Sequence, residues 1–127
     1  MKKKIIHYYT PSLVMGSILS WLRQQSGLDQ RSMAKSLGIT QASWSRIENG
    51  HAVANFEQIL NSCSAMNIDF VYLARLYNYI IEQLELKSII VSSTGDHDIN
   101  ADMRKIVKEI ILAHALSGSY KTLNSRE

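Results

Sequence analysis

Apolar residues recur at helical spacing along most of this chain, and capping residues cut the pattern into segments. Thr10-Pro11 opens the first: a hydroxyl cap, then proline at the first helical position, where a missing N–H is harmless. Val14, Ile18, Leu19 and Leu22 then share the inner face of a helix over about 11–26. Asp29 caps a second helix with Met33, Ala34 and Leu37 inward, and Gly38 stops it. Thr40 caps a third, which ends at Asn49-Gly50. Asn55 and Gln58 form a capping box for a fourth, with Phe56, Ile59, Leu60, Cys63 and Met66 as its inner face. Asp69 caps a fifth, in which Phe70, Leu73, Tyr77, Ile80 and Leu84 alternate three and four apart, the spacing of a coiled-coil-like seam. A last helix over about 100–116 carries Met103, Ile106, Val107, Ile110, Ile111 and Ala113 on one face. Between these two, Ile89 to Val91 is a short β-branched run followed by turn residues, and one isolated strand leaves the fold class all-α.

The third helix, 40–49, sorts its residues by angle. At roughly 100° per residue, Trp44 and Ile47 fall on one side and Gln41, Ala42, Ser45 and Arg46 on the other. The outward side thus offers an amide, a methyl, a hydroxyl and a guanidinium. Those groups suit base edges: Gln pairs bidentately with adenine, Arg with guanine, and Ala packs on a thymine methyl. Gln41, Ala42, Ser45 and Arg46 are therefore the candidate base-reading residues.

From about Met15 to Ile68 the chain resembles the lambda-repressor-like (Cro-like, XRE) helix-turn-helix family. The matching positions are Gly16, Leu19, Leu22 and Arg23, then Gln30, Met33, Ala34, Leu37 and Gly38. The run ITQASWSRIENG follows, and Phe56, Ile59, Leu60, Asn67 and Ile68 complete the match. The resemblance implies a five-helix DNA-binding domain. It implies phosphate contacts from Gln30 and Arg31 at the start of the second helix, and from Thr40 and Ser43 near the groove wall. Asn49 and the Gly50-His51 backbone are implied to meet the next phosphates. Arg23 and Glu48 match a buried structural ion pair. Two residues depart from the pattern: Trp44 is larger than the usual aliphatic residue, and Ala42 is small, which shifts specificity toward Gln41 and Arg46.

Charge agrees with a DNA partner. Residues 1–54 hold seven Lys/Arg against two Asp/Glu, hence +5, and the remainder holds seven against nine, hence −2, so the overall +3 hides a positive excess in the half with the third helix. A single cysteine, Cys63, forms no intrachain disulfide; inside a helix it reads as a small buried apolar residue, consistent with a reducing, cytoplasmic setting. The lead-in MKKKII is not expected to act as a secretory signal, because His7 to Pro11 interrupt the apolar run, and no apolar run approaches the length that spans a bilayer. His7, His51, His97 and His114 lie far apart without metal-ligand spacing. Asp96-His97-Asp98 is explained as a polar turn, and neither a nucleophile elbow nor a phosphate loop is present. No enzyme activity, metal or cofactor is expected.

These readings divide the chain into a basic arm at 1–10, a helix-turn-helix domain at 11–75, a helical extension at 76–117 and a polar tail at 118–127. The extension either packs back on the bundle or meets its copy in a second subunit. Pairing is favoured, since one such domain covers few base pairs and a two-fold dimer doubles the readout. The expected dimer interface is Phe70, Leu73, Tyr77, Ile80 and Leu84 with Ile106 and Ile110. The function expected is a sequence-specific regulator of transcription, most simply a dimeric repressor of double-stranded DNA on a pseudo-palindromic operator. The alternative is an antitoxin that autoregulates through the same domain and binds a partner protein with its C-terminal helices. A toxin-binding tail is usually too polar to order alone, whereas these helices are apolar.

Overall fold

The computed structural model describes residues 7–87, 89–91 and 101–116. In chain order these form β1 (His7–Tyr9), α1 (Pro11–Gln25), α2 (Gln30–Leu37), α3 (Gln41–Glu48), α4 (Phe56–Met66), α5 (Phe70–Leu86), β2 (Ile89–Val91) and α6 (Ala101–Leu116). The fold is all-α, with one short strand pair as an accessory.

The caps lie where the sequence puts them. Thr10 Oγ1 accepts from the Leu13 amide at 3.1 Å, Asp29 from Ser32 at 2.7 Å and Thr40 from Ser43 at 3.1 Å. Asn55 and Gln58 exchange bonds of 2.7 and 2.9 Å, and Asp69 accepts from Val71 at 2.8 Å. Each bond satisfies a backbone N–H with no partner inside its own helix. Between α2 and α3 the chain reverses at Gly38, whose φ of 70° is a left-handed conformation that a residue lacking Cβ adopts without strain.

The helix α1 is the centre of the packing and touches α3, α4, α5 and α6. Its Leu13, Val14, Ile18, Leu19 and Leu22 are buried, against Trp44 and Ile47 of α3, Leu73, Leu76, Ile80 and Leu84 of α5, and Val107, Ile110 and Ile111 of α6 in one cluster. Burying this much aliphatic and aromatic surface is the main source of stability. In α6 the inward place expected for Ala113 is taken by His114, which is buried with its ring 4.5 Å from that of Tyr79, while Ala113 is exposed. The side chain of Met103 lies outside the described residues.

Three expectations are corrected. The α5 seam is spent inside the chain: Leu73, Ile80 and Leu84 are 0% exposed and Ile110 7%. A side chain with no accessible surface in one chain contributes nothing to a surface between two. Tyr77 and Ile106 are half-buried against the same core, and of the seven expected interface residues only Phe70 is an exposed one. The second correction concerns α4, where Cys63 and Met66 are buried but Phe56 and Leu60 face outward. The boundary drawn at 75–76 lies within a continuous α5, and the extension shares one core with the N-terminal bundle. Last, the lead-in is partly structural. His7–Tyr9 pairs in parallel with Ile89–Val91, in the register His7 to Ile89 and Tyr9 to Val91, and Tyr9 is buried. Lys2, Lys3 and Lys4 lie outside the described residues, as do the turn at 92–100 with its Asp96-His97-Asp98 cluster and the tail from 117.

Candidate nucleic-acid interface

Eight residues of α3 present two chemically different sides. Gln41, Ala42, Ser43 and Arg46 are exposed, and Trp44, Ile47 and Glu48 are buried. Ser45 is half-buried, and its hydroxyl accepts from the Asn49 amide at 3.4 Å. Gln41 and Arg46 therefore have no side-chain hydrogen-bond partner among the described residues, while Ser45 and Asn49 are partly engaged with each other. At the start of the helix Thr40 Oγ1 donates to Ser43 Oγ at 2.9 Å. At its end the carbonyl of Arg46 accepts from the amides of both His51, 2.9 Å, and Ala52, 3.2 Å, folding the following loop back on the helix. The His51 side chain is exposed there.

Beneath the outer face lies one carboxylate with four donors. Glu48 Oε2 accepts from Arg23 Nε at 2.5 Å and from Trp44 Nε1 at 2.5 Å. Glu48 Oε1 accepts from Arg23 Nη2 at 3.1 Å and from Gln30 Nε2 at 2.9 Å. Arg23 Nη1 also donates to the carbonyl of Leu28 at 2.8 Å, in the turn before α2. Burial alone pushes the Glu48 carboxyl upward, but the bonds from Arg23, Gln30 and Trp44 outweigh it and hold the group below its ordinary range. The pair fixes the relative positions of α1, α2 and α3.

The ion pair of Arg23 and Glu48 thus occurs where the sequence suggests. The sequence reading missed two of its partners. Trp44 looked like a misfit for its size, yet its indole N–H reaches the carboxylate one turn ahead; the signal was the Trp–Glu spacing of four within one helix. Gln30, read as a phosphate ligand, also has a partner within the chain: the residue is half-buried and its side-chain amide donates to Glu48. That bond brings the first residue of α2 beside Glu48, the last residue of α3. Arg31 is exposed one residue further along.

Other chemistry is sparse. Burial, and secondarily Asp69, pushes the Cys63 thiol up to about 11, so it stays protonated and inert at neutral pH. Among the described residues no group of three His, Cys, Asp or Glu is placed to hold a metal. No helix among them is long and apolar enough to cross a membrane.

A capped helix, a left-handed glycine turn and a second short helix with a polar outer face make a helix-turn-helix unit. Residues 14–76 match the model of a helix-turn-helix domain family, and the chain carries such a domain. A comparison with curated proteins finds no match. The domain type is that of DNA-binding regulators in general.

Proposed function

We propose that the protein is a sequence-specific transcriptional regulator, acting as a dimeric repressor that places α3 in the major groove of its operator. The observation that carries this reading is the division of α3, with Gln41, Ala42 and Arg46 exposed above a buried Trp44 and Glu48. In the groove Arg46 and Gln41 supply the hydrogen bonds that distinguish bases, and Ala42 gives a methyl contact. Gln30, Arg31, Thr40, Ser43, Asn49 and His51 border the same helix, as positioning contacts to phosphates would.

Dimerisation is assigned to a surface other than the α5 seam. Val53, Phe56, Leu60, Phe70 and Val71 are all exposed, at 78, 62, 39, 38 and 52%, and the rings of Phe56 and Phe70 meet edge to face at 5.6 Å. An apolar groove of about 220 Å³ lined by Met15, Ile47, Val53, Ile59 and Tyr77 shares Val53 with this cluster. Exposed aromatics of this kind mark association surfaces. The position also suits a two-fold axis, because Val53 follows the loop that closes α3. The packing of α5 and α6 into the core of the DNA-binding bundle supports a regulator over an antitoxin whose tail awaits a partner.

Selection of bound duplexes from a random pool tests the proposal. The expected result is a two-fold-symmetric motif with half-sites about one turn, roughly 34 Å, apart. Failure of every duplex to associate at moderate salt would refute it.

A further inference from the structure

The Glu48 carboxylate has more donors than an ion pair needs. Each of its oxygens accepts two bonds: Oε2 from Arg23 and Trp44, Oε1 from Arg23 and Gln30. Arg23 alone neutralises the charge, and the remaining two bonds connect the carboxylate to the underside of α3 and to the first residue of α2. We propose that Glu48, oriented by Trp44, is a positioning residue for a phosphate contact: it holds the Gln30 amide by one N–H so that the other N–H is presented to the DNA backbone. This rests on the DNA-binding reading above, in which Gln30 meets a phosphate.

The chemistry of the groups carries the inference. A primary amide has a donor end and an acceptor end, and a phosphate, like a carboxylate, only accepts. A glutamine without an internal partner samples both orientations of its amide before DNA arrives, and the phosphate must then select the one with nitrogen outward. Glu48 removes that freedom, because turning the amide over sets its oxygen against a negatively charged oxygen. The amide nitrogen carries two N–H groups, and the 2.9 Å bond to Oε1 uses one. Gln30 as a residue is half-buried, not enclosed, and the other N–H is assigned to the phosphate.

Trp44 completes the device. With its indole N–H on Oε2 at 2.5 Å, both oxygens are saturated and Gln30 has a single place to bind. Without it, Oε2 has a vacant acceptor site and the amide can move between the two oxygens. Trp44 therefore sets a phosphate contact from the buried side of the helix, without touching DNA.

The test is a cycle of Trp44→Phe and Gln30→Ala in the full chain. Binding is measured to several duplexes of unrelated sequence, under conditions where circular dichroism shows each variant folded. Gln30→Ala is expected to weaken every duplex by roughly tenfold, the value of a hydrogen bond to a charged group. Trp44→Phe should weaken all duplexes several-fold in the wild-type background and no further beside Gln30→Ala. The side-chain amide protons of Gln30, followed by NMR, should be two separate resonances, one slow to exchange, that draw together in Trp44→Phe. Equal losses from Trp44→Phe in both backgrounds, or an amide pair unmoved by it, would overturn the positioning role alone. A wild-type protein that binds no duplex would instead remove the DNA-binding reading, and this role with it.

Discussion

A Cβ added to Gly16 would lie 2.1 Å from the carbonyl oxygen of Ile47 and 3.0 Å from that of Glu48. At this point α1 and the reading helix meet backbone to backbone, with no room for even a methyl group. The neighbouring residue is different. Ser17 is buried, yet its hydroxyl finds no hydrogen-bond partner among the described residues. Gly16→Ala should therefore cost about 3 kcal/mol, since backbone must shift to relieve the overlap. Ser17→Ala removes an unsatisfied polar atom and should change stability by no more than about 0.5 kcal/mol. Urea unfolding of the two variants side by side measures the contrast. A tolerated Gly16→Ala would mean the two helices are further apart than described.

Arg23 and Glu48 give a larger effect. Glu48→Ala leaves a buried guanidinium without its counter-charge, and the indole and Gln30 donors without an acceptor. The expected loss is about 3–5 kcal/mol, close to abolishing the fold. Replacing both residues by apolar ones of similar size, as in Arg23→Met with Glu48→Leu, should recover much of it. The unfolding midpoint of the double variant relative to the single is the deciding measurement, and a double variant no better than the single would contradict the account.

Acid should weaken the protein in two stages. Burial lowers the pKa of His114 below its ordinary 6.5, so the folded state holds the ring neutral while the unfolded chain protonates it. The stability this contributes is complete above about 6.5 and falls as pH drops through the depressed folded value. Glu48 is also depressed, from an ordinary 4.5, and its contribution is present above that value and lost at more acid pH. Unfolding midpoints followed from pH 8 downward should decline first near the histidine range and again in the carboxylate range. His114→Phe should remove the first decline and leave the second. A decline confined to the carboxylate range in the unmodified chain would show that His114 is not held neutral.

On the outer face, Arg46→Ala is expected to cost roughly 1–3 kcal/mol on the preferred operator and to relax specificity at one base pair. Gln30→Ala, by contrast, should weaken all sequences about equally. Competition binding against operator variants separates the two, and an unchanged base preference in Arg46→Ala would remove that residue from the reading set.

Much of this architecture is legible in the sequence, for a local reason. Helix caps are set by a residue and the amide two or three positions on, so Thr10, Asp29, Thr40, Asn55 and Asp69 disclose their roles in sequence. The inward side of α3 follows from helical angle alone. What escaped was non-local. A stripe such as Leu73, Ile80 and Leu84 has the same spacing whether it meets α1 and α6 or a second chain, and only the packing of α6 on α1 decides which. The parallel pairing of His7–Tyr9 with Ile89–Val91 joins segments some eighty residues apart, beyond any periodicity. The Gln30 bond to Glu48 is hidden for the same reason: it depends on how α2 docks, and a glutamine at a helix start carries no mark of its partner.

The relocated dimer surface makes a prediction opposite to the one the α5 stripe suggested. Ile80 is 0% exposed, so Ile80→Lys buries a charge in the core and should unfold the chain instead of separating two folded copies. Phe56 is 62% exposed and touches Phe70 only edge to face, so Phe56→Lys leaves the core intact and should cost at most about 1 kcal/mol of monomer stability. If Val53, Phe56 and Phe70 form the contact between copies, Phe56→Lys should halve the mass in solution while preserving the helical signal. It should also weaken binding to a symmetric operator far more than to an isolated half-site, since a monomer retains α3 and loses only the second readout. Light scattering and circular dichroism on the two variants decide between the surfaces. A Phe56→Lys protein of undiminished mass would exclude the exposed aromatic cluster as the pairing surface.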